Sequence, residues 1–129
     1  MNPEDIASLI KYRLEQAHTA LEDAKYLLEG NRSPQSIINR AYYAMFYATL
    51  ALLQKISKVP SKHSGAISLF DTEFVLKGIF SKDLSKAFHK AFELRQTADY
   101  RSVASISRDR AEEIYKDAVD FVEKVENYF

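Results

Sequence analysis

The chain has 129 residues, with 18 basic and 18 acidic side chains and a formal net charge of zero, so no bulk positive charge advertises a nucleic-acid binder. That length is enough to bury a real core in a single domain over 1–129. Three Gly and three Pro leave few tight turns and exclude a sandwich of short strands, and the lack of Cys excludes a disulfide framework, a thiolate metal site and a cysteine nucleophile.

The first helix is predicted from about Asp5 to Glu29. Ile6, Ile10, Leu14, Ala17, Leu21, Ala24 and Leu28 recur every three or four residues and trace one apolar face. Gly30 is the expected stop, taking the left-handed conformation after the last turn. Ser33 as N-cap and Pro34 at the first helical position open the second helix. It runs to about Lys55, with Pro60 marking the loop beyond. From Ala41 to Leu53 every residue except Thr49 is apolar or aromatic. A helix with so little polar surface is buried on most sides, so it is the centre of a bundle. Its apolar surface exceeds what one core face needs, which leaves some of Tyr42, Tyr43, Phe46, Tyr47 and Leu50 facing outward. A homodimer through this helix is the expected remedy.

Ser61 is the expected cap of a third, weaker segment reaching Phe74, with Ile67, Phe70 and Phe74 turned inward. Gly78 ends that region. Ser81, with Asp83 in the first turn, begins the fourth helix, where Leu84, Ala87, Phe88, Ala91, Leu94, Arg95 and Ala98 share a broad face. The last helix begins near Ser107, and its Ala111, Ile114, Ala118, Phe121 and Val125 are spaced three, four, three and four apart. No stretch alternates as a strand. The expected fold is all-α, an antiparallel up-and-down helical bundle of four to five helices with short connections.

Residues Met1 to Asp5 carry acids where a secretory leader has bases, and the apolar run 41–53 falls short of the ~20 residues that span a bilayer. A soluble, cytoplasmic protein without membrane contact is expected.

The distribution of charge says more than its sum. No acid occurs between Glu29 and Asp71, while Arg32, Arg40, Lys55, Lys58 and Lys62 are all basic. Either this part presents a positive surface or acids of neighbouring helices neutralise it. Arg40 enters the apolar helix, where an unpartnered charge is costly. Tyr47 follows seven residues on, within ~20° of the same face and ~10.5 Å along the axis. Tyr43 and Ala44 lie between them, and the small Ala44 leaves room above the backbone. Such a groove suits a phosphate on the Arg40 guanidinium and a base stacked on a tyrosine. Equally, Arg40 can pair with an acid of another helix while the tyrosines serve as core or dimer packing.

A second polar cluster is Arg95-Gln96-Thr97-Ala98-Asp99-Tyr100-Arg101, in which Arg95 and Asp99 are spaced to pair on one helix face. His63 stands next to Lys62 and titrates near neutral pH. His18 and His89 have no companion at ligand spacing, so no metal site is expected, and no cofactor is called for. Neither a Gly-rich phosphate loop nor a nucleophile elbow is present.

Three separated blocks, Asn39-Arg40-Ala41-Tyr42-Tyr43-Ala44-Met45-Phe46-Tyr47-Ala48, Lys62-His63-Ser64-Gly65 with Phe74-Val75 beyond it, and Arg95-Gln96-Thr97-Ala98-Asp99-Tyr100, resemble the HEPN domain (higher eukaryotes and prokaryotes nucleotide-binding) in its prokaryotic stand-alone branch. The resemblance covers nearly the whole chain. It implies a bundle of helices that dimerises through the motif helices, often paired with a minimal nucleotidyltransferase as a toxin–antitoxin system in which the HEPN partner is an RNase. In active members an Arg is followed within a few residues by a His, and both line a cleft at the dimer interface. Arg40 matches the arginine, while Tyr47 stands where relatives often carry the histidine. Tyrosine, with an ordinary pKa of ~10, is a poor general base at neutral pH.

The resemblance thus implies a dimer that binds nucleotide or RNA through Asn39, Arg40, Tyr43, Tyr47, Arg95, Asp99 and Tyr100 and acts with a nucleotidyltransferase partner. Two alternatives stand beside it. One is a metal-independent endoribonuclease, with Arg40 stabilising charge in the transition state and Tyr47 or His63 completing the chemistry. The other is a non-catalytic interaction module in which Arg40 and Asp99 are structural.

Overall fold

The computed structural model describes the backbone of residues 1–100 and 106–129 and the side chains of 1–97 and 106–129. Among the described residues there are five α-helices and no strand: α1 (Pro3–Glu29), α2 (Pro34–Lys55), α3 (His63–Phe70), α4 (Lys82–Tyr100) and α5 (Arg108–Tyr128). A single π turn, Asp71–Val75, continues α3. The all-helical bundle is therefore as expected.

Caps explain most boundaries. The Ser33 side chain accepts from the Ser36 N–H and Pro34 fills the first helical position, so the start of α2 is where sequence put it. Ser107 caps α5 by accepting from the Arg110 N–H at 3.1 Å, and Ser81 accepts from the Leu84 N–H at 3.3 Å. α1 begins two residues before the expected Asp5, because Asn2 caps it by accepting from the Asp5 N–H at 2.8 Å and Pro3 starts the helix.

Two local expectations are corrected. Gly30 is not left-handed: its φ is −84°, and Asn31 takes the positive φ, 54°. Arg32 N–H reaches back to the Leu27 carbonyl and Asn31 N–H to that of Leu28, a Schellman closure displaced one residue onto Asn, which tolerates this conformation. The same closure ends α2, where Ser57 has φ 58° and Lys58 N–H bonds the Leu53 carbonyl at 2.9 Å. Ser61 does not cap α3; the N-cap is Lys62, without a side-chain bond. The helix instead starts where His63 is anchored by its own side chain, as described below.

α2 is the axis of the molecule. It packs against α1, α3, α4 and α5, with its broadest contact on α1. Both helices turn alanines inward, Ala17, Ala20 and Ala24 on α1 and Ala41, Ala44, Ala48 and Ala51 on α2, and small side chains let helix backbones approach closely. Phe70, Phe74, Phe88 and Phe121 fill the space beyond, all essentially fully buried. Thr49 is buried too, its hydroxyl satisfied by donating to the Met45 carbonyl at 2.9 Å. Ala44 has no exposure, so it belongs to the core and does not floor a groove. Of the five side chains expected to leave some facing outward, Tyr42 is completely buried, while Tyr43, Phe46, Tyr47 and Leu50 are half-buried. Among the described residues no helix is long and apolar enough to cross a membrane.

Candidate nucleotide and RNA interface

The face of α2 that carries Arg40 is organised around one ring. The Arg40 guanidinium lies 5.0 Å from the centroid of Tyr43, and the Arg95 guanidinium, reaching across from α4, lies 5.2 Å from the same centroid and 5.4 Å from Tyr42. An aromatic face attracts cations through its quadrupole, and two guanidiniums on one ring offset part of their mutual repulsion that way. Residues 55 positions apart in sequence thus meet at Tyr43.

Arg40 is held in place locally. Its Nε and one terminal nitrogen both donate to the Asn39 side-chain oxygen, at 3.1 and 2.9 Å. That grip orients the guanidinium and leaves further N–H groups for a ligand. Among the described residues Arg40 forms no ion pair with a carboxylate. Acids do stand near it, however. Glu15 and Asp23 of α1 line a cleft of about 290 Å³ with Arg40 and Tyr47. On its other side Arg40 borders a depression with Asn39, Gln35, Ser36 and Leu27.

His63, at the start of α3, inserts among the same aromatics. Its ring stacks on Phe46 at 4.3 Å, sits edge-on to Tyr43 at 5.6 Å, and its Nδ1 meets the Tyr42 hydroxyl at 2.7 Å. Burial, with the Tyr42 surroundings largely apolar, pushes the phenol far above its ordinary range. Burial first, and the Arg95 charge second, hold the imidazole below its usual value. A protonated phenol beside a neutral imidazole makes the bond O–H to N, with Tyr42 donating. The imidazole proton then rests on Nε2. In that tautomer the basic nitrogen is occupied.

Tyr47 lies one turn beyond Tyr43, with ring centroids 5.7 Å apart. Arg40, Tyr43, Tyr47, His63 and Arg95 are therefore brought together as one cluster, with Asn39 as the support of Arg40. The side chains of Asp99 and Tyr100, at the end of α4, lie outside the described ones. The sequence reading missed two contributors. Tyr42 is the hydrogen-bond partner of His63 rather than an outward side chain, and α1 supplies a wall that includes Tyr12, 52% exposed on the polar face of its helix. An aromatic on a polar helix face was the available signal for Tyr12; no local pattern signals the Tyr42–His63 bond. The other two histidines face carboxylates elsewhere, His18 on Glu126 at 2.5 Å and His89 on Asp71 at 2.7 Å.

Known proteins are similar to this chain in sequence. A protein of Thermotoga maritima named "UPF0332 protein" is 36% identical over 118 residues, covering 92% of this chain and 89% of its own. Two proteins of Methanocaldococcus jannaschii are also similar. One, named "Putative toxin MJ0605", is 34% identical over 122 residues, covering 95% of this chain and 90% of its own. The other, named "Putative toxin MJ0142", is 31% identical over 115 residues, covering 89% and 78%. The family model described as HEPN domain matches residues 10–128, a span that takes in every residue of the Tyr43 cluster. With its helical bundle, its relatives and that match in agreement, the chain belongs to the HEPN domain family.

Proposed function

We propose that this protein is a toxin-type HEPN protein that binds RNA or a nucleotide through Arg40 and the Tyr43 cluster, dimerises through α2, and acts with a nucleotidyltransferase partner. The observation that carries the reading is the convergence of the Arg40 and Arg95 guanidiniums on Tyr43, on a surface where Arg40 forms no ion pair among the described residues. Guanidinium presents a planar fork that matches a phosphate, and the half-buried Tyr43 and Tyr47 offer rings on which a base stacks. The half-buried Tyr43, Phe46, Tyr47 and Leu50 supply the apolar part of a two-fold contact, which brings two Arg40 side chains into one cleft. Relatives named as putative toxins support the toxin–antitoxin setting.

Calorimetric titration with ATP, GTP and a short single-stranded RNA tests the ligand, beside a folded Arg40→Ala variant. Binding that vanishes in the variant supports the reading. Equal binding by both proteins, or none by either, sinks it and leaves a structural module. Co-purification with the product of the neighbouring gene tests the partner; a nucleotidyltransferase is the expected finding.

A second reading is RNA cleavage, with Arg40 stabilising the charge that develops in the transition state. It ranks below binding because Tyr47 is a weak base at neutral pH and the Nδ1 of His63 is engaged by Tyr42. Total RNA incubated with wild type, Arg40→Ala and Tyr47→His decides it. Cleavage that needs Arg40 establishes an RNase, whereas activity only in Tyr47→His marks a binding scaffold that lacks its base.

A further inference from the structure

The α1 wall of the Arg40 cleft has a composition of its own. Tyr12, Glu15, Thr19 and Asp23 follow one another along one face of α1 and look onto Arg40 and Tyr47 of α2. The two walls differ in charge. On the α4 side Arg40 and Arg95 flank Tyr43, whereas the α1 side presents two carboxylates. A phosphate is drawn to the first and repelled by the second. A nucleotide lying here is therefore oriented, with phosphate toward Tyr43 and base toward α1.

From these features we infer that the α1 wall is a base-reading subsite for guanine. This inference rests on the nucleotide-binding reading of the Arg40 site. A cleft of about 290 Å³ accommodates one base, and Tyr12 and Tyr47 provide aromatic faces from two helices. Tyr12 is 52% exposed, so core packing does not account for it. Its ring is steadied by the Arg13 guanidinium at 5.8 Å, which in turn donates to Gln16 Oε1 at 2.9 Å. Glu15 and Asp23 are exposed carboxylates that act only as acceptors, and neither forms an ion pair among the described residues. An acceptor-only wall selects the base edge richest in donors. Guanine offers two adjacent parallel donors, N1–H and the 2-amino group, which fit one carboxylate in bidentate fashion. Uracil offers a single N–H between two carbonyl oxygens that a carboxylate repels. Adenine and cytosine each set their amino group beside a ring acceptor.

The test compares the affinities of GMP, IMP and UMP for wild type, Arg40→Ala and the double variant Glu15→Gln/Asp23→Asn. IMP lacks only the 2-amino group. The expected order in wild type is GMP above IMP above UMP, with GMP about tenfold tighter than UMP, as for one hydrogen bond to a charged group. In the double variant, whose substitutions are on exposed positions, the preference for GMP over UMP should be lost, and a preference that persists there overturns the guanine subsite. Equal affinity for all three nucleotides in wild type, lost in Arg40→Ala, overturns the guanine subsite and leaves the phosphate site standing. Absence of binding by any nucleotide or RNA overturns both. A free nucleotide and a guanosine within an RNA chain share this chemistry. Tighter binding of a four-residue RNA with one guanosine than of GMP assigns the subsite to RNA, and the reverse order assigns it to free nucleotide.

Discussion

At the scale of single residues, the Tyr42–His63 pair is the most constrained part of the site. Neither group has charge to offer at neutral pH, since burial keeps the phenol protonated and the imidazole neutral. Their role is to fix α3 against α2 beneath the cations. Tyr42→Phe keeps the ring and removes the hydroxyl, so it should cost about 1 kcal/mol of stability, read as a lower melting temperature. A variant as stable as wild type would mean that the bond contributes nothing. The pH dependence has a definite sign. His63 has a lower pKa folded than unfolded, so between the folded value and ~6.5 the unfolded chain binds more protons. Its contribution is therefore intact above ~6.5 and is eroded as pH falls below that. His63→Leu should lose part of the acid sensitivity that wild type shows just below pH ~6.5. Identical slopes in denaturant melts of the two proteins would contradict this. Sequence spacing placed Arg40, Tyr43 and Tyr47 on one face because that relation is internal to a helix. The meeting of Arg40, His63 and Arg95 at Tyr43 is tertiary, and no periodicity encodes it.

At the scale of elements, boundaries marked by a side-chain cap were legible, as Ser33, Ser81 and Ser107 show. Those set by backbone closure were not. Asn31 and Ser57 take positive φ because a Schellman closure falls on them, and nothing in Ser57 as a residue type announces it. Ser57→Gly should therefore stabilise the protein by about 0.5–1 kcal/mol, since glycine adopts that conformation without the Cβ clash. Gly78→Ala should do the opposite by about 1 kcal/mol, because its φ is +76° even though open space surrounds it. Thermal melts of the pair check both directions. The π turn Asp71–Val75 was also unforeseen, and it is pinned from outside. Glu73 bonds both Lys58 and Lys77, at 2.8 and 2.6 Å, which holds its carboxyl down to about 2. The ion pairs should persist from neutral pH down to that value, and Lys58→Met should raise the carboxyl's midpoint in an NMR titration.

At the scale of the whole molecule, a neutral chain gathers positive charge by folding rather than by composition. In the acid-free stretch from Arg32 to Lys62, Lys58 pairs with Glu73, Lys55 rests 4.7 Å from the Tyr128 ring, and Arg40 shares its cleft with Glu15 and Asp23 of α1 without an ion pair among the described residues. Arg40 is left to act with Arg95 of another helix. A dimer through α2 doubles that arrangement, and light scattering across a dilution series should return twice the mass of one chain at micromolar concentration. A monomer there would remove the shared cleft. The central claim is that Arg40 and Arg95 meet phosphate, and its most direct test is the salt dependence of RNA binding. Each phosphate neutralised on a single strand contributes about −0.7 to the slope of log K against log salt. The expected result is a negative slope for wild type that becomes shallower by about 0.7 in folded Arg40→Ala, with Arg95→Ala shifted the same way. A slope that is unchanged by Arg40→Ala would contradict the account.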